Sequence, residues 1–122
     1  MGSPLNPTPE EKIAAARTRL AELAEKFIQR TRGELEAMRR LADDLESADG
    51  VALGEMLHLA HRITGTGATL GFDGISERAR TLEVLLEQHP AGTPCGAPVV
   101  EQVRRAIEGL ATELASTVRH AS

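Results

Sequence analysis

From Ile13 to Leu45 the large apolar residues stand at intervals of three, four, seven or eight: Ile13, Leu20, Leu23, Phe27, Leu35, Met38, Leu41 and Leu45. That spacing keeps them on one side of a 3.6-residue helix but scatters them over both faces of a strand, so it predicts helix over about residues 9–46. Strands favour aromatic and β-branched residues, yet this chain has no Trp or Tyr, and Phe27 and Phe72 are its only aromatic rings. Its 122 residues suffice for one ordinary domain with a modest core.

The helix boundaries are written in capping and breaking residues. Thr8-Pro9-Glu10-Glu11 reads as a capping box, with Thr8 as the cap, Pro9 at the first helical position and Glu11 three residues after the cap. Gly33 interrupts the stripe, which leaves either one long curved helix or two helices meeting at a bend. Ser47-Ala48-Asp49-Gly50 is a turn cluster, and Asp49 is the expected N-cap of a helix that turns Leu53, Met56, Leu57, Ala60, Ile63 and Leu70 inward and ends near Gly71. Asp73 is the expected cap of the next helix, whose inward positions are Ile75, Ala79, Leu82 and Leu86. Breakers between His89 and Ala97 predict a loop, after which Pro98 opens a last helix with Val99, Val103, Ile107, Leu110, Leu114 and Val118 inside. Amphipathic helices joined by short connections bury their stripes best as an all-α, antiparallel four-helix bundle, here with an additional or extended N-terminal helix. Residues 8–120 are expected to form this one domain, and residues 1–7 a disordered start or, at Met1-Gly2-Ser3, an expression scar.

Charge and composition narrow the function. With 18 acidic against 14 basic residues the formal charge is −4, which does not draw the domain to phosphate backbones, and there are too few rings to stack on bases. Nucleic acid is therefore not an expected partner. No apolar run approaches the length of a membrane span, so no membrane partner is expected either. The one cysteine, Cys95, fits a reducing compartment, and the cytoplasm is the expected location.

The run His61-Arg62-Ile63-Thr64-Gly65-Thr66-Gly67-Ala68-Thr69-Leu70-Gly71 is uneven, because three glycines and three threonines stand where good helix formers belong. An interior glycine costs about 0.8–1.0 kcal/mol relative to alanine, so close approach of a neighbouring helix or of an outside partner is the expected compensation. Counting about 100° per residue puts His61 at the border between core and solvent, with Gly65 one turn later on the same exposed flank. An accessible imidazole beside a bare patch results. His89 and His120 read as solvated surface residues, and His58, three residues before His61, lacks the further ligands a metal site needs.

The same run, continued by Phe72 and later by Leu82-Glu83, resembles the signature of histidine-containing phosphotransfer (HPt) domains. It is also similar to the phosphotransfer domain of chemotaxis histidine kinases. The resemblance implies a phosphorelay intermediate of a two-component system. His61 would accept a phosphoryl group from a receiver-domain aspartate or a sensor kinase and pass it to a receiver domain. Glu83 would hold one imidazole nitrogen so that the other is free to attack, as a nucleophilic imidazole requires. His58, Arg62, Gly65, Ala68 and Thr69 would form the partner-facing surface.

One position departs from the family. Three residues after the histidine it usually carries Lys, whereas this chain has Thr64, which can donate a hydrogen bond but has no charge. Arg62 is expected to point away around the helix, and Arg80, one turn before Glu83, is the expected compensating cation. The missing Lys keeps open a degenerate adaptor that binds partners without relaying phosphate. A sensor-kinase dimerisation domain fits poorly, because its reactive His is followed by an acid and soon by a Pro, while here Arg62 follows and the next Pro is Pro90. No phosphate-binding loop, kinase signature or acid cluster for Mg²⁺ is present in the sequence, so it reads as a relay without kinase activity or intrinsic cofactor, with Mg²⁺ supplied by the partner.

Overall fold

The computed structural model describes residues 6–47, 49–90 and 92–121. Residues 1–5, where the expression scar would lie, fall outside them. Four helices account for the described fold: α1 (Pro9–Ala42), α2 (Val51–Leu70), α3 (Asp73–Glu87) and α4 (Ala97–Ala121).

The first helix runs unbroken through Gly33, which settles the choice between one helix and two. Thr8 caps it as the sequence predicts, its hydroxyl accepting from the Glu11 amide at 3.2 Å. Its 34 residues span about 50 Å at 1.5 Å per residue. Yet the first buried residue is Phe27, and Ile13, Leu20 and Leu23 remain 53%, 58% and 44% exposed. The sequence predicts an additional or extended N-terminal helix, and the extension is what forms. Before Leu23 α1 overruns the bundle, and among the described residues no other helix buries its apolar side there.

Two caps differ from expectation. Gly50, at φ 71°, occupies the N-cap of α2, and Asp49 instead accepts from the Val51 amide at 3.0 Å. Asp73 is the first residue of α3 rather than its cap, where its negative charge still suits the helix N-terminus. The stop of α2 follows the sequence: Gly71 adopts φ 84°, its amide bonds the Ala68 carbonyl at 3.2 Å, and the Phe72 amide reaches back to the Gly67 carbonyl at 2.8 Å. This paired pattern closes a helix with a left-handed glycine. It also folds Phe72 back onto Phe27, so the chain's only two aromatic rings stack with centroids 5.4 Å apart.

Each helix packs on its sequence neighbour and α1 closes the ring on α4, while among the described residues the diagonal pairs do not meet. The directions alternate. Arg39 of α1 bonds Glu108 of α4, and one turn further along α1 Asp43 bonds Arg104, one turn back along α4. Met38, Met56, Ile63, Ile75, Leu82, Leu86, Val103, Ile107 and Leu110 fill the centre almost without solvent contact. The inward positions read for α3 are all buried; in α2 Leu57 and Leu70, and in α4 Val99 and Val118, are only half-buried. Cys95, in the α3–α4 loop, is buried, its amide bonded to the Leu45 carbonyl at 2.9 Å, and burial pushes its thiol pKa up.

Candidate functional site

Burial of Ala60 and Ile63 fixes the rotation of α2 and thereby carries His61 to the rim of the bundle. Its side chain is 77% exposed, whereas that of its partner Glu83 is 5% exposed. On α3 the core positions Ala79, Leu82 and Leu86 turn Glu83 towards α2, two helical turns from Ser76. Both residues grip α2: the Ser76 hydroxyl donates to the Thr64 carbonyl at 2.7 Å, and a Glu83 oxygen (Oε2) bonds Nδ1 of His61. A carboxylate accepts, so the bond assigns the ring proton to Nδ1 and leaves Nε2 with the lone pair. The second Glu83 oxygen (Oε1) is buried without a hydrogen-bond partner. The imidazole is thus held at its inner nitrogen by a sequestered carboxylate and is open on its outer side.

A hollow between α1 and α2 borders the ring. Leu23, Lys26, Phe27 and Arg30 form its α1 wall, and His61, Arg62, Gly65, Thr66, Thr69 and Leu70 its α2 wall. Three cations line it and no acid does. Arg62 was expected to point away, but it lines the hollow and its guanidinium donates to the nearly buried Glu34 at 2.7 Å, tying α2 to α1. Lys26 and Arg30, which the sequence reading missed, make no hydrogen bond or ion pair among the described residues. Only the placement of α1 beside α2 brings them to the site.

The expected phosphoryl-stabilising pair does not converge on this hollow. Thr64 is half-buried and donates its hydroxyl hydrogen to the Ala60 carbonyl at 2.8 Å, and it is not part of the hollow's walls. Arg80 is exposed on α3, outside the hollow, with no hydrogen bond or ion pair among the described residues. Of the partner-facing candidates, Gly65 and Thr69 line the hollow and Ala68 is exposed beside it. His58 lines a different hollow, with Arg40, Leu41, Gly54 and Leu59.

The glycines divide by role. A Cβ on Gly67 would stand 3.5 Å from the Phe27 ring, the Phe72 carbonyl oxygen and the Ser76 Cβ, so nothing larger than a methyl fits where α2 meets its neighbours. A Cβ on Gly65 would meet nothing within 4 Å. Gly67 thus lies in a packed seam that still has room for a methyl, and an open face beside the imidazole distinguishes Gly65. Among the described residues no group of three or more His, Cys, Asp or Glu is placed to hold a metal ion, and no helix is long and apolar enough to cross a membrane.

A family model described as Hpt domain matches residues 22–113, which takes in every buried core residue except Leu114 and begins where α1 approaches the bundle. No curated protein and no solved structure matches the chain.

Proposed function

Since the chain belongs to the Hpt domain family, we propose that it relays phosphate through His61 between the signalling proteins of a two-component system in the cytoplasm. The observation that carries this reading is the pairing of an exposed His61 with a buried Glu83. The Nε2 lone pair attacks the phosphorus of an aspartyl phosphate on a receiver domain. A P–N bond forms, the P–O bond to the carboxylate breaks, and the electron pair leaves with the carboxylate. The Nδ1 proton stays on the ring and keeps its bond to Glu83, which offsets the positive charge that the imidazole acquires. Transfer onward reverses these steps on a second receiver, and a sensor kinase is the alternative donor.

The partner brings Mg²⁺ and its acidic ligands, since phosphoryl transfer needs charge stabilisation that a lone imidazole does not provide. The chain is then a substrate and relay without kinase activity of its own. Gly65 leaves room for the partner's surface to lie over the ring.

Incubation with a phosphorylated receiver or an active sensor kinase should label the protein with acid-labile, base-stable phosphate, and His61→Gln should abolish the label. Label that persists in His61→Gln refutes the assignment. A wild-type chain that binds a receiver but takes no label is the non-relaying adaptor.

A further inference from the structure

We propose that Lys26 and Arg30 of α1 hold the phosphoryl oxygens on His61, and so supply from a different helix the charge that Thr64 lacks. This rests on the phosphotransfer reading above and adds the residues that bind the group being transferred.

A phosphoryl group brings close to two negative charges and three strong acceptor oxygens at neutral pH. It therefore needs cationic donors near the nitrogen that carries it. With Nδ1 committed to Glu83, the group is on Nε2, at the open side of a ring that borders the α1–α2 hollow. The walls of that hollow contain Lys26, Arg30 and Arg62 and no acid, so cations are the charged groups nearest to hand. Arg62 is already engaged by Glu34, whose side chain is 10% exposed, and moving it away would leave that carboxylate unpaired in a nearly dry position. Lys26 and Arg30 carry no such obligation.

Their spacing also fits. Four residues apart on one helix, they are neighbours on one flank of α1, about 5–6 Å apart at Cβ. Phe27 anchors that flank: it is 3% exposed and stacks on Phe72. The backbone beneath the two cations is thus fixed by the core while their long side chains stay free to close on a phosphoryl group. Arg supplies a planar fork of donors and Lys a mobile point charge. Thr64 cannot do this, because its only hydroxyl hydrogen is given to Ala60.

The test uses the full chain, loaded from a phosphorylated receiver, with four variants: Lys26→Ala/Arg30→Ala, the same double variant with Thr64→Lys, Lys26→Arg, and Arg80→Ala. The double variant should melt like wild type, since both side chains are exposed, but take up phosphate roughly 10–100-fold more slowly, in line with the loss of oxyanion donors elsewhere. On the phosphorylated protein, the ³¹P resonance should titrate at higher pH in the double variant, because removing nearby cations disfavours the dianion. Thr64→Lys should recover part of both effects, Lys26→Arg should preserve them, and Arg80→Ala should change neither. A double variant that transfers and titrates like wild type overturns the assignment while leaving His61 as the relay residue. Slower transfer with an unchanged ³¹P titration also overturns it, because the cations would then serve docking alone. Loss reproduced by Arg80→Ala alone does the same. A wild-type chain that takes no label defeats the phosphotransfer reading first.

Discussion

His61 and Glu83 depend on each other unequally. The imidazole is exposed and could be solvated by water, but the carboxylate is buried with one oxygen on His61 and the other without a partner. A buried acceptor left unpaired costs about 1–3 kcal/mol. His61→Ala is accordingly expected to lower stability by about that amount in urea or thermal melts, whereas His61→Gln, which can offer an amide hydrogen, should lose less. Glu83→Gln works the other way. It removes a buried charge and should leave the melting temperature unchanged or higher, yet slow labelling of His61 at least about tenfold, because an amide no longer enforces the proton on Nδ1. A Glu83→Gln protein labelled at the wild-type rate would show that orientation of the ring does not matter. At this scale much was legible. The His61–Gly65 spacing and Glu83 stand in the sequence, and helical counting puts both His61 and Gly65 on an exposed flank. Lys26 and Arg30 were not legible as site residues, because their nearness to His61 depends on how α1 lies against α2.

Among the elements, α2 concentrates the compromise. Its glycines weaken it as a helix and differ in their surroundings, since a Cβ on Gly67 would make ordinary van der Waals contact with Phe27 and Ser76 while one on Gly65 would face open space. Gly65→Ala should therefore stabilise the protein by about 1 kcal/mol, the ordinary propensity gain, in a denaturant melt. Gly65→Gln or Gly65→Arg should stay folded but slow transfer from a receiver by covering the ring. A folded Gly65→Gln protein that transfers normally would show that nothing needs to approach this face. Spacing reports which side of a helix is apolar, not whether another helix is there to cover it, and so Ile13, Leu20 and Leu23 share the stripe of Phe27 without its burial. The caps at Asp49 and Asp73 shifted by one position for a comparable reason: the local signal places a helix start to within a residue or two, and the packing of the turn selects the final register.

The whole molecule is a closed square of helices, and polar ties across its seams complement the core. Arg39 donates twice to Glu108, at 2.8 and 3.0 Å, which joins α1 to α4, and these bonds hold the Glu108 carboxyl below the usual carboxylate range. A carboxyl whose pKa is lowered on folding contributes stability above its unfolded value and loses it as pH falls through the folded one. Arg39 is half-buried and Glu108 exposed, so the contribution is about 0.2–1 kcal/mol after solvent screening. Glu108→Gln should therefore lower the melting temperature slightly at neutral pH and not at all at a pH below the carboxylate range. An equal loss at both would assign the effect to packing instead of charge. By itself the sequence determined the helical class, the four apolar stripes and the stop near Gly71, because each is a matter of local periodicity or short spacing, while Glu83 as the partner of His61, 22 residues away, came from the resemblance to the phosphotransfer family. Only the tertiary structure decided how far α1 reaches beyond its neighbours, that Arg62 belongs to Glu34, and that Lys26 and Arg30 line one hollow with His61. Those are relations between helices, and the distance across a helix interface is set by how the cores interlock, which no spacing within a single helix encodes.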